Sequence, residues 1–380
     1  MRTTVDFAIV GGSVAGSSMA RILSSLGLTV AIVDKGLFPR RKACGEGISA
    51  KGVKILQEIG FRPVLNRLPH TRLRGYQLQL KDKKISIPSS LIGVQRFYLD
   101  KALLDCALSS PRVLPFLGTA AAKIDGSGPF QVTLSDNTVI ESRWLAVASG
   151  ARPLTVSGTA INPRFGVSSI WECEQDTGNM PFIQIFAGQN YQVFLTPVGP
   201  HTFNAALLST KNSGHALTNK SASVELMGEA FARAGIQAQA ASYLVGKTCL
   251  QAQSARAFHN NIFMLGDACE QFDPVGGMGM THALLSSRIL GEEMRLLIDG
   301  RMTLAQTGVK YTAKREAAAR PLRGFTFTSY LALVRAQEQL ARIPSLYRTA
   351  GTFLSGGLGS THTVRNRMAH TALSFIGACL

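Results

Sequence analysis

The sequence predicts an α/β fold: a parallel sheet with helices, an inserted antiparallel sheet, and a helical C-terminal region. Three observations predict it. The chain opens on Val5-Asp-Phe-Ala-Ile-Val-Gly-Gly-Ser-Val-Ala-Gly16 and runs on to Val30-Ala-Ile-Val-Asp34, which reads as strand, glycine-rich turn, helix, strand, acid. A second strand-acid-glycine pattern stands far along the chain at Phe263 to Met280. Between them lie apolar β-type runs at Phe182–Ala187, Tyr191–Thr196 and Thr202–Leu208, punctuated by Pro181, Gly188, Pro197 and Pro200.

The opening motif is Rossmann-type. Ala8, Ile9 and Val10 suit a strand buried on both faces. Gly11 and Gly12 allow a tight turn, and Gly16 lets the next helix approach the strand. Ser17 to Leu26 carries Met19, Ile22, Leu23 and Leu26 on one helical face. Free N–H groups and a partial positive charge at that helix start suit a pyrophosphate. Asp34 ends the second strand where a carboxylate meets a ribose hydroxyl, which disfavours a 2′-phosphate and leaves FAD or NAD(H). The fingerprint's middle glycine is replaced by Ser13, whose hydroxyl is expected to donate to a phosphate.

The 380 residues hold 46% apolar and 17% charged side chains, the balance of a folded chain. Cys44, Cys106, Cys173, Cys249, Cys269 and Cys379 show no C-x-x-C spacing. That argues against zinc or a disulfide framework and leads us to expect a reducing, cytoplasmic location. The N-terminus lacks the basic region and cleavage site of a leader, and no apolar run is long enough to span a bilayer. Net charge is +17. Without an aromatic-interleaved basic stripe, nucleic acid is not an expected partner. The charge is read as a solubilising surface, as a peripheral contact with anionic membrane lipid, or as attraction for an acidic carrier that bears the substrate.

In chain order, Phe38 to Ile48 reads as a basic loop, and Ser49 as the cap of a helix ending at Gly60. Tyr76–Leu80 and Ile85–Ile87 form a hairpin around Lys81 to Lys84. A helix starts near Gln95 and ends near Leu108, followed by short strands at Val113–Phe116 and Ala120–Ile124. A second hairpin joins Phe130–Leu134 to Thr138–Ile140, and Trp144–Ala148 reads as a separate buried strand. A helix follows at Ser221–Ala234 and a buried strand at Ile262–Leu265. Helices are then expected at Gly279–Leu297, Leu304–Ala319 and Phe325–Ala341, with a terminal pair broken near Gly356. The expected domains are a discontinuous nucleotide-binding one (1–73, 95–155, 250–300), a substrate domain (74–94, 156–249) and the helical region 301–380.

In the second motif Asp267 ends its strand and is placed to take a second ribose or ribityl hydroxyl. Gly276, Gly277 and Gly279 bring N–H groups close to a planar ligand at a helix start. Two such acids on two strands imply one long dinucleotide held at both ends, which fits FAD better than NAD alone.

Together with Arg41-Lys-Ala-Cys-Gly-Glu-Gly47 and with Arg96 at a helix start, these stretches resemble a family. It is the FAD-dependent oxidoreductase group of p-hydroxybenzoate hydroxylase-like monooxygenases, flavin halogenases and geranylgeranyl reductases. The Cys44-Gly-Glu-Gly47 block is most similar to the geranylgeranyl-reductase branch, in which a K-x-C-G stretch borders the flavin. The resemblance implies that Arg96 contacts FAD phosphates and that Gly266-Asp267 contacts the ribityl chain. The expected cofactor residues are thus Gly11, Gly12, Ser13, Ala15, Gly16, Asp34, Lys35, Arg41, Cys44, Gly45, Arg96, Asp267, Gly277, Gly279 and Met280. The hydroxylases' D-G motif is replaced here by Ala148-Ser-Gly-Ala-Arg152, which leaves the electron donor open between NAD(P)H and a separate reductase. No W-x-W-x-x-I-P box is present and Trp171 stands alone, which demotes halogenation.

Bland readings stand beside the sharp ones. Cys44 is a low-pKa thiol or a small apolar loop residue; Arg40, Arg41 and Lys42 hold phosphate or form a solvated run. Glu46 is a proton donor or a loop cap, and His282 is expected to pack on its helix rather than act as an acid. His201, His215 and His259 are read as structural.

The substrate is expected to be an apolar small molecule (polyketide, aromatic or isoprenoid) in a pocket between the sheet of residues 181–208 and the flavin ring. A monooxygenase, in which reduced flavin meets oxygen and one oxygen atom reaches the substrate, is placed first. A reductase or dehydrogenase of carbon–carbon bonds is the alternative, and an FAD-stabilised binding protein without turnover is the third reading.

Overall fold

The structure is a computed structural model that describes residues 2–80, 83–150, 160–188, 190–210, 219–252, 256–330 and 333. The strands are β1 (Arg2–Val10), β2 (Val30–Asp34), β3 (Gly47–Ser49), β4 (Thr71–Leu80), β5 (Lys83–Gly93), β6 (Val113–Leu117), β7 (Ala121–Asp125), β8 (Phe130–Leu134) and β9 (Val139–Val147). After these come β10 (Ala160–Cys173), β11 (Phe182–Gly188), β12 (Tyr191–Gly199), β13 (Thr202–Thr210), β14 (Ala238–Ala240), β15 (Val245–Ala252), β16 (Phe258–His259) and β17 (Ile262–Met264). The helices are α1 (Val14–Ser25), α2 (Ala50–Glu58), α3 (Arg62–Arg67), α4 (Arg96–Leu108), α5 (Lys220–Ala234), α6 (Gly279–Ile298) and α7 (Leu304–Tyr330).

The predicted α/β class holds. The first sheet has the order β16-β17-β9-β1-β2-β6, with β7 and β8 extending from β9. β17, β9, β1, β2 and β6 run parallel. β1 lies at its centre because Phe7, Ala8 and Ile9 are wholly buried, as a strand covered on both faces requires. Helix α1 packs against α4 and α6. Gly291 on α6 permits the close approach, since a Cβ there would stand 2.5 Å from Ile22 Cγ2.

The second sheet has the order β14-β10-β13-β12-β11-β4-β5-β3, with β15 also on β10. Among the described residues only β4 and β11 pair in parallel within it. Its faces differ. One buries Trp171, Leu195, Phe203 and Leu207 under Met227 and Phe231 of α5. The other presents Leu78, Ile183, Ile185, Phe194, Ala206 and Leu208 toward Val275 and Leu333. Trp171 thus belongs to the α5 side, its ring centroid 4.8 Å from that of Phe231.

Several expectations are corrected. The hairpin and the buried strand expected separately at 138–148 are one strand, β9. It pairs with β8 by its first half and with β17 by its last residues. The hairpin at 76–87 extends over β4 and β5, and β10, β15 and α3 were not anticipated. The helices expected to part before Phe325 are one, α7, with Pro321 inside it. Ser49 caps α2 as expected, accepting the Gly52 N–H at 3.3 Å. Of the expected C-terminal region, everything beyond α7 except Leu333 lies outside the described residues, as do Ala151, Arg152 and His215. No described helix is long and apolar enough to cross a membrane.

Candidate cofactor and substrate site

The glycine turn is fixed by backbone packing. Gly11 has φ +114°, and a Cβ there would stand 2.4 Å from Ala148 O. A Cβ on Gly16 would stand 1.7 Å from Gly11 O. Neither position admits a side chain, so the start of α1 is drawn onto the tip of β1. Gly12 N donates to Asp34 Oδ2 at 2.7 Å. Asp34 also takes the Gly36 N–H at 2.9 Å and both terminal nitrogens of Arg40 at 2.8 and 2.9 Å.

Below the turn lies a buried charged pair. Arg96 at the start of α4 donates Nε to Asp100 Oδ1 at 2.6 Å and Nη2 to Asp100 Oδ2 at 2.7 Å. Ser13 Oγ accepts from Arg96 Nη2 at 2.7 Å and donates to Asp100 Oδ2 at 2.5 Å. The Ser13 proton goes to Asp100, because a buried carboxylate is the strongest acceptor within reach.

The loop after β2 bridges the two sheets. Cys44 N donates to Ser168 Oγ on β10 at 3.4 Å, and Asn204 Nδ2 on β13 donates to Cys44 O at 2.9 Å. Glu46 takes the Arg96 backbone N–H on Oε1 at 3.1 Å. Burial pushes the Glu46 carboxyl up to about 7, against the opposing hydrogen bond and charge of Arg96.

One cavity joins the layers. On the first-sheet side it is lined by Ser13, Ala15, Lys42, Cys44, Gly45, Glu46, Arg96, Asp267, Gly277, Gly279 and Met280. On the second-sheet side it is lined by Tyr76, Ile183, Phe194, Thr196, Ala206 and Leu208. Of the residues expected around a cofactor, Gly11, Gly12, Gly16, Asp34, Lys35 and Arg41 stand outside this lining. The glycines act through the turn. The Lys35 side chain is exposed, and the Arg41 guanidinium lies 5.6 Å from the Tyr243 ring centroid.

These residues fit FAD on the structure's own terms. A cradle that any Cβ would fill sits at the start of α1. The far end of the cavity holds Asp267 and the start of the 20-residue α6, whose first turn carries no acid. Backbone N–H groups at both helix starts therefore face one cavity without a competing carboxylate from their own first turns. FAD would be held by the turn and Arg96 at one end and by Asp267, Gly277 and Gly279 at the other.

Other polar groups hold the site's frame. Glu270 is buried between Arg315 and Arg323 of α7, ion-paired to both. That grip keeps α7 continuous past Pro321 and against the Asp267 turn. His282 packs edge-on to Phe272 at 4.8 Å and lies 3.1 Å from Arg315 through Nε2. Burial and the Arg315 charge lower it to about 4, so it is a neutral packing residue, as the sequence suggested. Arg164 on β10 pairs with Asp273 at 3.3 Å, linking the second sheet to the turn before α6. Sequence reasoning missed Asp100, Arg164 and Glu270. The one available signal was the i, i+4 spacing of Arg96 and Asp100, which looks the same on an exposed helix.

No family model matches the chain. In sequence it is 27% identical over 324 residues to menaquinone reductase of Mycolicibacterium smegmatis, covering 77% of each protein. It is 23% identical over 309 residues to digeranylgeranylglycerophospholipid reductase 1 of Methanosphaera stadtmanae, covering 76% of this chain and 74% of the relative. In structure it matches a probable FAD-dependent monooxygenase of Pseudomonas aeruginosa with a TM-score of 0.72 and 16% identity, over 90% of this chain and 100% of the other. At that identity the structural match speaks for the fold.

Proposed function

We propose that this chain, an FAD-dependent oxidoreductase of the group its sequence resembles, is a reductase of carbon–carbon double bonds in a polyprenyl-bearing lipid. The observation that carries this reading is the two-sided cavity. Among the described residues, every charged one in its lining (Lys42, Glu46, Arg96, Asp267) comes from the first-sheet side, and the second sheet contributes Tyr76, Ile183, Phe194, Thr196, Ala206 and Leu208. A hydrocarbon chain gains by burial against such a wall, and nothing charged there loses its water. Reduced FAD supplies two electrons and one hydrogen, and the remaining proton comes from the protein or water.

The sequence alone placed oxygen transfer first. Two relatives that align over most of the chain are named as reductases, of menaquinone and of a digeranylgeranyl lipid. Those two molecules share a polyprenyl chain, and that shared chemistry favours reduction here. The chain's own residues have the tasks of seating FAD, excluding water from the apolar wall and presenting one double bond at the junction.

The test is single-turnover mass spectrometry. FAD-loaded protein is reduced anaerobically with dithionite, and a digeranylgeranyl phospholipid, which has no quinone ring to take up the electrons, is added in detergent. A product that has gained two hydrogens per bond is expected. Lipid unchanged without oxygen, and gaining one oxygen atom when air is admitted, would instead establish the monooxygenase reading.

A further inference from the structure

The Cys44-Gly-Glu-Gly47 loop holds a side chain whose placement cofactor binding does not explain. Glu46 has φ +58°, a left-handed conformation that favours glycine, and glycines stand on both sides of it. The side chain is 5% exposed and lines the cavity where the two sheets meet. Its two oxygens differ. Oε1 takes the Arg96 N–H at the start of α4. Oε2 is buried and has no hydrogen-bond partner among the described residues.

A buried carboxylate normally finds a cation. Arg96 gives Glu46 its backbone N–H, but its Nε and Nη2 are spent on Asp100 and Ser13, so the charge of Arg96 is matched before Glu46 meets it. The remaining neighbours are the Arg41 charge, the Asp100 charge, which disfavours a second anion, and Cys44 Sγ, which accepts the Glu46 N–H at 3.4 Å. Burial outweighs them, and the carboxyl is held neutral up to about pH 7. A neutral carboxylic acid is a donor, and its O–H at Oε2 is left for whatever enters the cavity.

We propose that Glu46 is the proton donor of this site, passing the proton on Oε2 to one carbon of the substrate double bond and being recharged from solvent water. The inference rests on the reductase reading above. The O–H bond at Oε2 breaks and a C–H bond forms with electrons of the double bond. The other hydrogen and the two electrons have the source already named. A plain cap on α4 would need only Oε1.

The experiment uses FAD-loaded protein, wild type and Glu46→Gln; glutamine keeps an oxygen for the Arg96 N–H but holds no transferable proton. Difference infrared spectra between about pH 5 and 8 read the carboxyl directly. A protonated-carboxyl band that titrates near 7 in the wild type and is missing in E46Q is expected. Anaerobic mixing of the reduced protein with a digeranylgeranyl lipid reads the transfer. E46Q is expected to slow lipid-dependent flavin reoxidation ~100-fold or more and to lose its pH limb. Glu46→Asp restores the band and part of the rate.

A wild-type carboxyl ionised across the whole range, or E46Q turnover with the wild-type rate and pH profile, overturns the proposal. If the wild type reduces no polyprenyl lipid, the functional reading fails, and the infrared titration of wild type against E46Q and E46D, which needs no substrate, still decides whether Glu46 holds the proton.

Discussion

Arg96 and Asp100 stand one helical turn apart and close a two-point ion pair beneath the glycine turn, with Ser13 bonded to both. Both side chains are buried, at 8% and 2% exposure. The carboxylate fixes the guanidinium at the cavity wall, where a phosphate would meet an oriented donor. Removing one partner of such a pair strands the other. Asp100→Ala should therefore cost ~3–5 kcal/mol in denaturant unfolding and lower flavin content. A loss below ~1 kcal/mol would mean that the pair is solvated in solution.

Opposed pH dependences should appear in stability. Burial pushes Asp100 up, but the charge and hydrogen bonds of Arg96 more than offset it and leave that carboxyl below its usual range. Burial likewise pushes Glu270 up, and the hydrogen bonds and charges of Arg323 and Arg315 outweigh it, leaving that carboxyl below its usual range as well. Depressed carboxyls stabilise the fold above their unfolded values, and that contribution disappears as pH falls through the folded ones. Stability should thus drop below about pH 4. Glu46 has the opposite sign: its folded state binds the proton more tightly, so stability declines as pH rises from 4.5 toward about 7. Denaturant titrations of E46Q should lack that decline, worth up to ~3 kcal/mol, and retain the acid drop. Parallel wild-type and E46Q curves between these limits would place the Glu46 carboxyl in water.

Two glycines should separate folding from cofactor approach. A Cβ on Gly16 meets Gly11 O at 1.7 Å, whereas one on Gly45 meets nothing within 4 Å. Gly16→Ala should yield little folded protein. Gly45→Ala should unfold within ~0.5 kcal/mol of wild type, yet bind FAD about tenfold more weakly if the flavin lies against this loop. Isothermal titration of G45A with FAD checks it; wild-type affinity would remove Gly45 from the cofactor's contacts.

What was legible in the sequence was local. The turn at Gly11 to Gly16, Asp34 and the second motif declare themselves by spacing over a few residues, because one strand, one turn and one helix fix their geometry. β10 did not declare itself. Arg164, Ser168 and Ser169 interrupt its apolar alternation, and their partners Asp273, Cys44 and Met227 lie far away in the chain. The continuity of α7 was hidden for the same reason. Pro321 reads as a breaker, and the opposing grip of Arg315 and Arg323 on Glu270 is tertiary. The proton-donor reading of Glu46 was named among the sequence alternatives, but only the unmatched Oε2 separates it from a cap.

Arg40 should compete with the cofactor for Asp34. A carboxylate has about four acceptor positions, and those of Asp34 are taken by Gly12 N, Gly36 N and two Arg40 nitrogens. A ribose hydroxyl can bond Asp34 only by displacing one of them. The two backbone donors are fixed by the turn, whereas Arg40 is a flexible side chain at 29% exposure, so Arg40 is the group that yields. Losing a partly solvated pair costs ~1 kcal/mol, which FAD must supply on binding. Arg40→Ala removes that cost in advance and should tighten FAD by up to about tenfold in titration calorimetry. Arg40→Lys, with one donor nitrogen and no fork, should fall between the two. Weaker binding by R40A would show instead that Arg40 itself holds the cofactor, and that Asp34 serves to orient it.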